Sequence, residues 1–142
     1  MSRVKQVIVI RKDLKMRRGK EIAQGAHASM AAVLNEMVVV PDNVDIDMWG
    51  NERTIPGSRQ LFSDQELTEW LEGSFTKICL IVNSEQELLD LYNKARVAQL
   101  RVALIQDSGK TEFNGVPTHT CIAIGPNYSD KIDPLTGHLS LY

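Results

Sequence analysis

The sequence predicts an α/β fold: a single three-layer domain with a four-stranded, mixed and largely parallel β-sheet and helices on both faces. Three observations carry this. Apolar, β-branched runs alternate with segments of helical periodicity, the order that builds helix-covered sheets. The runs are continuous rather than alternating, as strands buried on both faces read. The 142 residues, 43% hydrophobic and 24% charged, are enough for one domain with its own core and exclude disorder or a fibre.

Taken in order, Gln6-Val7-Ile8-Val9-Ile10 is the first strand, and Asp13 to Arg18 is a basic loop. From Gly19 a helical pattern runs to about Val38, closed by Pro41. On its wheel Lys20, Gln24, His27 and Ala31 share a narrow stripe, while Ile22, Ala26, Val33 and Met37 form the face expected to lie on the sheet. The helix is also small-sided, which lets another backbone or a ligand approach closely. Residues 41–61 are a polar, acidic, turn-rich excursion. Ser63-Asp64-Gln65-Glu66 is a capping box before a short helix, Leu67–Leu71, stopped by Gly73. Lys77 to Val82 is the second strand. Ser84-Glu85-Gln86-Glu87 repeats the capping box, and Leu88, Leu91, Tyr92 and Ala95 recur at helical spacing. Val102–Ile105 and Thr120–Ile124 are the third and fourth strands, the last stopped by Gly125-Pro126. The short link between these two allows that pair to be antiparallel.

No apolar run approaches the ~20 residues that span a bilayer, and no signal peptide of the usual length fits before Arg11, so a cytoplasmic protein without a membrane anchor is expected. Cys79 and Cys121 make neither a disulfide framework nor a zinc site; inside apolar strands they read as buried, reduced and structural. No metal and no cofactor is expected. Residues 1–20 hold eight basic residues against one acid, Asp13, whereas the remaining 122 hold eight against seventeen. Such segregation points to a polyanionic ligand, nucleic acid first, although a merely solubilising basic arm produces the same charge count.

Lys20 falls in the first helical turn, where the macrodipole disfavours a cation unless an anion answers it. With Arg17, Arg18 and Gly19 beside it, a phosphate or carboxylate site would form there; a lysine that snorkels to solvent is the plain alternative. A second polar cluster, Gln106-Asp107-Ser108-Gly109-Lys110-Thr111, follows the third strand directly. It is not a Walker A loop, because Leu104 stands where that motif needs its first glycine. Ligands of open α/β sheets bind beyond the carboxyl ends of the strands, which would bring Lys20, Asp107 and Thr111 to one rim. Asp107 read alone is an ordinary turn former.

Lys12-Asp13-Leu14-Lys15-Met16, then Gly19-Lys20-x-x-Ala23-Gln24-x-x-His27-Ala28, Thr76-Lys77-Ile78, Gln106 to Thr111, and Ile132-Asp133-x-x-Thr136-Gly137-His138-Leu139 together closely resemble the type-2 (archaeal and eukaryotic) peptidyl-tRNA hydrolases. The resemblance covers about 5–41 and 74–142. It departs at Asn114 to Thr120, one residue longer than the family's turn, so that both Thr118 and Thr120 are candidates for the family threonine. It departs again at 42–73, an insert longer and more acidic than the family core needs. The resemblance implies a homodimer that cleaves the ester joining peptide to tRNA, with no metal or other cofactor. It implies active-site roles for Lys20, Gln24, Asp107 and Thr111, to which the helical stripe adds His27. Lys12, Lys15, Arg17, Arg18, Gly19, Ser108, Gly109 and Thr118 or Thr120 would bind the tRNA acceptor end. A tRNA-binding module without chemistry, and a small-molecule hydrolase using the same anion site, are the rival readings.

Overall fold

A computed structural model describes residues 3–142. In chain order the elements are β1 (Val4–Arg11), α1 (Arg18–Leu34), β2 (Val38–Val40), β3 (Asn43–Ile46), β4 (Glu52–Ile55), β5 (Ser58–Gln60), α2 (Gln65–Glu72), β6 (Lys77–Val82), α3 (Glu85–Val97), β7 (Val102–Asp107), β8 (Thr118–Tyr128) and α4 (Ser129–Thr136). The main sheet has the order β6-β1-β8-β7.

This is the expected four-stranded mixed sheet, with one correction to its pairing. Only β1 and β6 are parallel neighbours; β8 runs against both β1 and β7. Three strands share a direction, but β8 lies between two of them and converts their contacts to antiparallel ones. The consequence for function is direct. The carboxyl ends of β1 and β7 still open on the same rim, two positions apart.

Both faces are covered. On one, Ile8 and Ile10 of β1, Ala103 of β7, and Cys121 and Ala123 of β8 pack under Ala28 and Ala32 of α1. On the other, Val7, Val9, Leu80, Val82, Ile122 and Ile124 meet Leu88, Leu91 and Ala95 of α3 and Ile132 of α4. Val33, Leu67 and Trp70 form a smaller cluster where α2 closes one end.

The face that α1 lays on the sheet differs from the expected one. Gln24, Gly25, Ala28, Ser29, Ala32 and Val33 are buried, whereas Ile22 is 67% exposed and Met30 and Ala26 face outward. Small side chains let the helix axis come close to the sheet. That close fit decides against burying the bulkier stripe. The exposed stripe instead walls an apolar groove of about 890 Å³ with Ile8, Phe75, Cys79 and Tyr142. Cys79 is therefore open to solvent in that groove, not buried; Cys121 is buried as expected.

Three boundaries also shift. Helix α1 ends at Leu34, because Val38-Val39-Val40 is a strand rather than a last turn. Strand β8 continues through Gly125-Pro126 to Tyr128. Gly125 has φ +99° and lies where a Cβ would be 2.8 Å from the Lys5 carbonyl, so only glycine carries the strand past the bulge in β1. The α2 cap is Asp64, which accepts from Leu67 N–H at 3.0 Å, while Ser63 bonds Thr68. At α3 the expected Ser84 cap is present, and Glu87 reaches back to Asn83 N–H.

The excursion is ordered. β2 pairs with β5 and β3 with β4, making a hairpin over 38–60 whose tip turns on Asp47. Trp49 at that tip is 78% exposed.

Candidate active site

The first turn of α1 and the loop after β7 meet at the rim. Lys20 Nζ donates to Asp107 Oδ1 at 2.7 Å and lies 3.4 Å from Thr111 Oγ1. The anion that answers the lysine is thus the chain's own carboxylate. One turn on, Gln24 Nε2 donates to the same Oδ1 at 3.3 Å, and its Oε1 accepts from Thr120 Oγ1 at 2.5 Å. The two ends of the amide are distinguished, since a hydroxyl donor answers one and a carboxylate acceptor the other. Asp107 Oδ2 accepts the Gly109 N–H at 2.9 Å.

The loop geometry that supplies this N–H requires glycine. Gly109 has φ +79°, and a Cβ there would lie 2.4 Å from the Val116 carbonyl. Strand register does the rest. Asp107 pairs with Thr118, so Thr118 and Thr120 both project to the α1 face. Of the two, Thr120 reaches Gln24 and is buried, while the Thr118 hydroxyl is engaged by the Val116 carbonyl. Beneath them Cys121 Sγ donates to the Gln24 carbonyl; burial pushes this thiol up to about 11, which keeps it protonated.

The Lys20 hydrogen bond, opposed by burial and joined by the Gly109 N–H, holds the Asp107 carboxyl below its ordinary value. Side-chain exposure of 16% for Lys20 and 11% for Asp107 leaves the pair at the cleft surface yet sheltered from bulk water. What forms is a fixed ammonium–carboxylate pair with a buried polar relay behind it. Such a pair can hold a water and a carbonyl oxygen side by side.

The remaining sequence candidates divide. Gly19 is exposed and a Cβ there would meet no protein atom, so the fold itself does not demand glycine. Lys12, Lys15 and Ser108 are exposed on the two loops that flank the cleft. Arg17 pairs with Glu112 across it at 3.1 Å. Arg18 does not join them; it lies on the other flank of α1, in the apolar groove. His27 is exposed and makes no hydrogen bond to the cluster among the described residues. Glu112 was not among the residues singled out from the sequence, because an acid beside a basic motif carries no local signal. Among the described residues no group of three His, Cys, Asp or Glu side chains is placed to hold a metal.

A small α/β sheet with a charged pair at its rim, no serine or thiol hydrogen-bonded to that pair among the described residues, and a basic loop on one side defines a class: compact proteins that work on an anionic, carbonyl-bearing ligand. The chain belongs to the family described as peptidyl-tRNA hydrolase PTH2, whose model matches residues 4–142. It is 40% identical over 138 residues to the peptidyl-tRNA hydrolase of Methanocaldococcus jannaschii, covering 97% of this chain and 99% of that protein. It is 38% identical over 139 residues to that of Nanoarchaeum equitans, covering 98% and 99%. With that of Saccharolobus islandicus the identity is 36% over 138 residues, covering 97% and 98%.

Proposed function

We propose that this chain hydrolyses the ester between the peptide and the tRNA 3′ end, releasing both, with the Lys20–Asp107 cleft as the reacting centre. In the reaction the oxygen of water bonds to the ester carbonyl carbon, the bond to the ribose oxygen breaks, and a proton passes to that oxygen. Lys20 stabilises the oxyanion that develops on the carbonyl. Asp107 is held ionised by three donors, which makes it a weak base; its part is to fix Lys20 and orient the attacking water. Gln24, fixed by Thr120, supplies the second donor, and Thr111 faces the terminal adenosine. His27 stands outside the hydrogen-bonded set. It is assigned the solvent side of the cleft, where the water's proton departs.

The exposed basic loop that carries Lys12, Lys15 and Arg17 lies along acceptor-stem phosphates and reads shape and charge rather than sequence. The reading includes a homodimer, and a place in translation where stalled peptidyl-tRNA is cleared in the cytoplasm. No helix of the described residues is long and apolar enough to cross a membrane.

The single observation behind this reading is the 2.7 Å contact between two charges 87 positions apart in sequence, at the mouth of a basic cleft. A binding module has no use for a sheltered Gln24–Thr120 relay behind that pair. Turnover of a labelled peptidyl-tRNA tests the assignment. Lys20→Ala and Asp107→Ala should each lose about 10²–10³ in kcat; wild-type rates in both would end it.

A further inference from the structure

We propose that Glu112 is a positioning residue that aims the Arg17 guanidinium outward as a two-pronged phosphate clamp at the mouth of the cleft. The nature of the ligand rests on the hydrolase reading above.

Arg17 sits immediately before α1, three residues from Lys20, and Glu112 follows Thr111 in the loop after β7. Their contact therefore bridges the two walls that carry Lys20 and Asp107. Arg17 donates through Nε to Glu112 Oε1 at 3.1 Å. Its two terminal nitrogens have no hydrogen-bond partner among the described residues. The exposures are opposite: the Arg17 side chain is 81% exposed and that of Glu112 only 17%. A sheltered carboxylate thus grips the inner N–H of an otherwise free arginine. What remains outward is the planar Nη fork, the geometry that takes a phosphate bidentately.

The sign of the charge makes this assignment informative. A carboxylate at the entrance of a cleft for a polyanion repels the ligand, and by charge alone its removal should tighten binding. Holding the arginine has the opposite effect. An arginine this exposed samples many rotamers and must be ordered when the ligand arrives. Glu112 orders it beforehand. The two effects predict opposite changes in affinity for one substitution.

The experiment is a double-mutant cycle on the full chain, reading the Kd for deacylated tRNA by fluorescence anisotropy and steady-state kinetics on peptidyl-tRNA. Glu112→Gln should weaken tRNA binding about five- to tenfold, with the loss falling on KM rather than kcat. In the Arg17→Ala background the same substitution should weaken nothing. Arg17→Ala should flatten the dependence of log Kd on log salt by about 0.7–0.9, one phosphate contact. Arg17→Lys, which keeps the charge but not the fork, should lose most of the affinity that Arg17→Ala loses. Tighter binding in Glu112→Gln, or equal weakening in both backgrounds, overturns the clamp. If Glu112→Gln loses its melting transition, Arg17→Lys at its exposed position carries the test, and wild-type affinity there overturns the proposal. A chain with this binding pattern but no peptidyl-tRNA turnover would keep the clamp and remove the hydrolase reading; turnover without the pattern would do the reverse.

Discussion

Asp107 is held by more donors than a solvent-facing carboxylate needs: the Lys20 ammonium, the Gln24 amide and the Gly109 N–H. The Lys20 bond is the largest cause of its lowered pKa, with burial opposing it. A folded value below the unfolded one means that the pair stabilises the protein above the ordinary aspartate range and loses that contribution only as pH falls through the lowered value. A carboxyl-carbon NMR titration of Asp107 should therefore show its inflection below about 3.9. An inflection between pH 5 and 7 would instead make Asp107 a competent general base and reverse the role given to it here. Thr120 acts one step behind. Thr120→Val keeps the shape, removes the donor to Gln24 Oε1 and leaves that buried acceptor unmet, at a cost of about 1–3 kcal/mol. Stability should fall by that amount in urea unfolding, and kcat by about tenfold as the Gln24 amide loses its aim. That Lys20, Asp107 and Thr111 would share a rim was legible from a cation in a first helical turn and a polar run at a strand end, and the helical stripe put Gln24 beside Lys20; their active-site roles came from the family resemblance, since Asp107 alone reads as a turn former. The split between Thr118 and Thr120 was not legible. It turns on a one-residue register, which the irregularity between Ile105 and Gln106 sets and no composition reveals.

At the scale of elements, the cleft depends on the placement of α1, and its far end is fastened by one side chain. Arg101, almost wholly buried just before β7, donates to Glu36 beyond α1 at 2.9 Å and to the α2 cap Asp64 at 2.5 Å. Burial works against the Arg101 charge, but the two carboxylates raise its pKa all the same. Arg101→Ala removes the tie between α1, α2 and β7 and leaves two carboxylates that water can still reach. The loss is therefore about 1–3 kcal/mol rather than the larger cost of a stranded buried charge. A melting temperature lower by several degrees is the expected result; an unchanged one would mean that the helices hold their places by packing alone. The four strands were legible as β-branched runs, and the α3 cap as a Ser-x-x-Glu pattern. The sheet-facing side of α1 was not. Hydrophobicity ranks Ile22 and Met37 above Gly25 and Ser29, but it is Gly25 and Ser29 that face the sheet: a Cβ on Gly25 would rest in ordinary contact with Ile8 at 3.8 Å, and the Ser29 hydroxyl donates to the buried Gln6. The hairpin over 38–60 was hidden for a related reason. Its strands are three or four residues long and mostly exposed, so they carry little of the burial pattern that marks a strand.

The whole molecule is polarised in charge, and the polarity has a length. Lys20 lies in the first turn of α1 and the hairpin departs beyond its last, about 20 Å away at 1.5 Å per residue. The hairpin carries Asp42, Asp45, Asp47 and Glu52 against Arg53 in its outer part, so it is an acidic arm rooted beyond the end of α1 remote from the basic cleft. Its influence on a polyanion bound at the cleft is set by screening. At 0.15 M salt the Debye length is about 8 Å, less than half the separation, whereas at 0.01 M it is about 30 Å and spans it. Replacing 42–56 by a short turn should then leave kcat and KM for peptidyl-tRNA within about twofold of wild type at 0.15 M salt. At 0.01 M the shortened chain should bind tRNA more tightly than the full one, because a repulsive field has been removed. The comparison of KM at the two ionic strengths checks both halves. A loss of kcat at either strength would mean that the arm reaches the reacting centre. A loss of affinity at 0.15 M would mean that Trp49 at its tip touches the RNA directly, and the arm would then have to be counted with the cleft rather than against it.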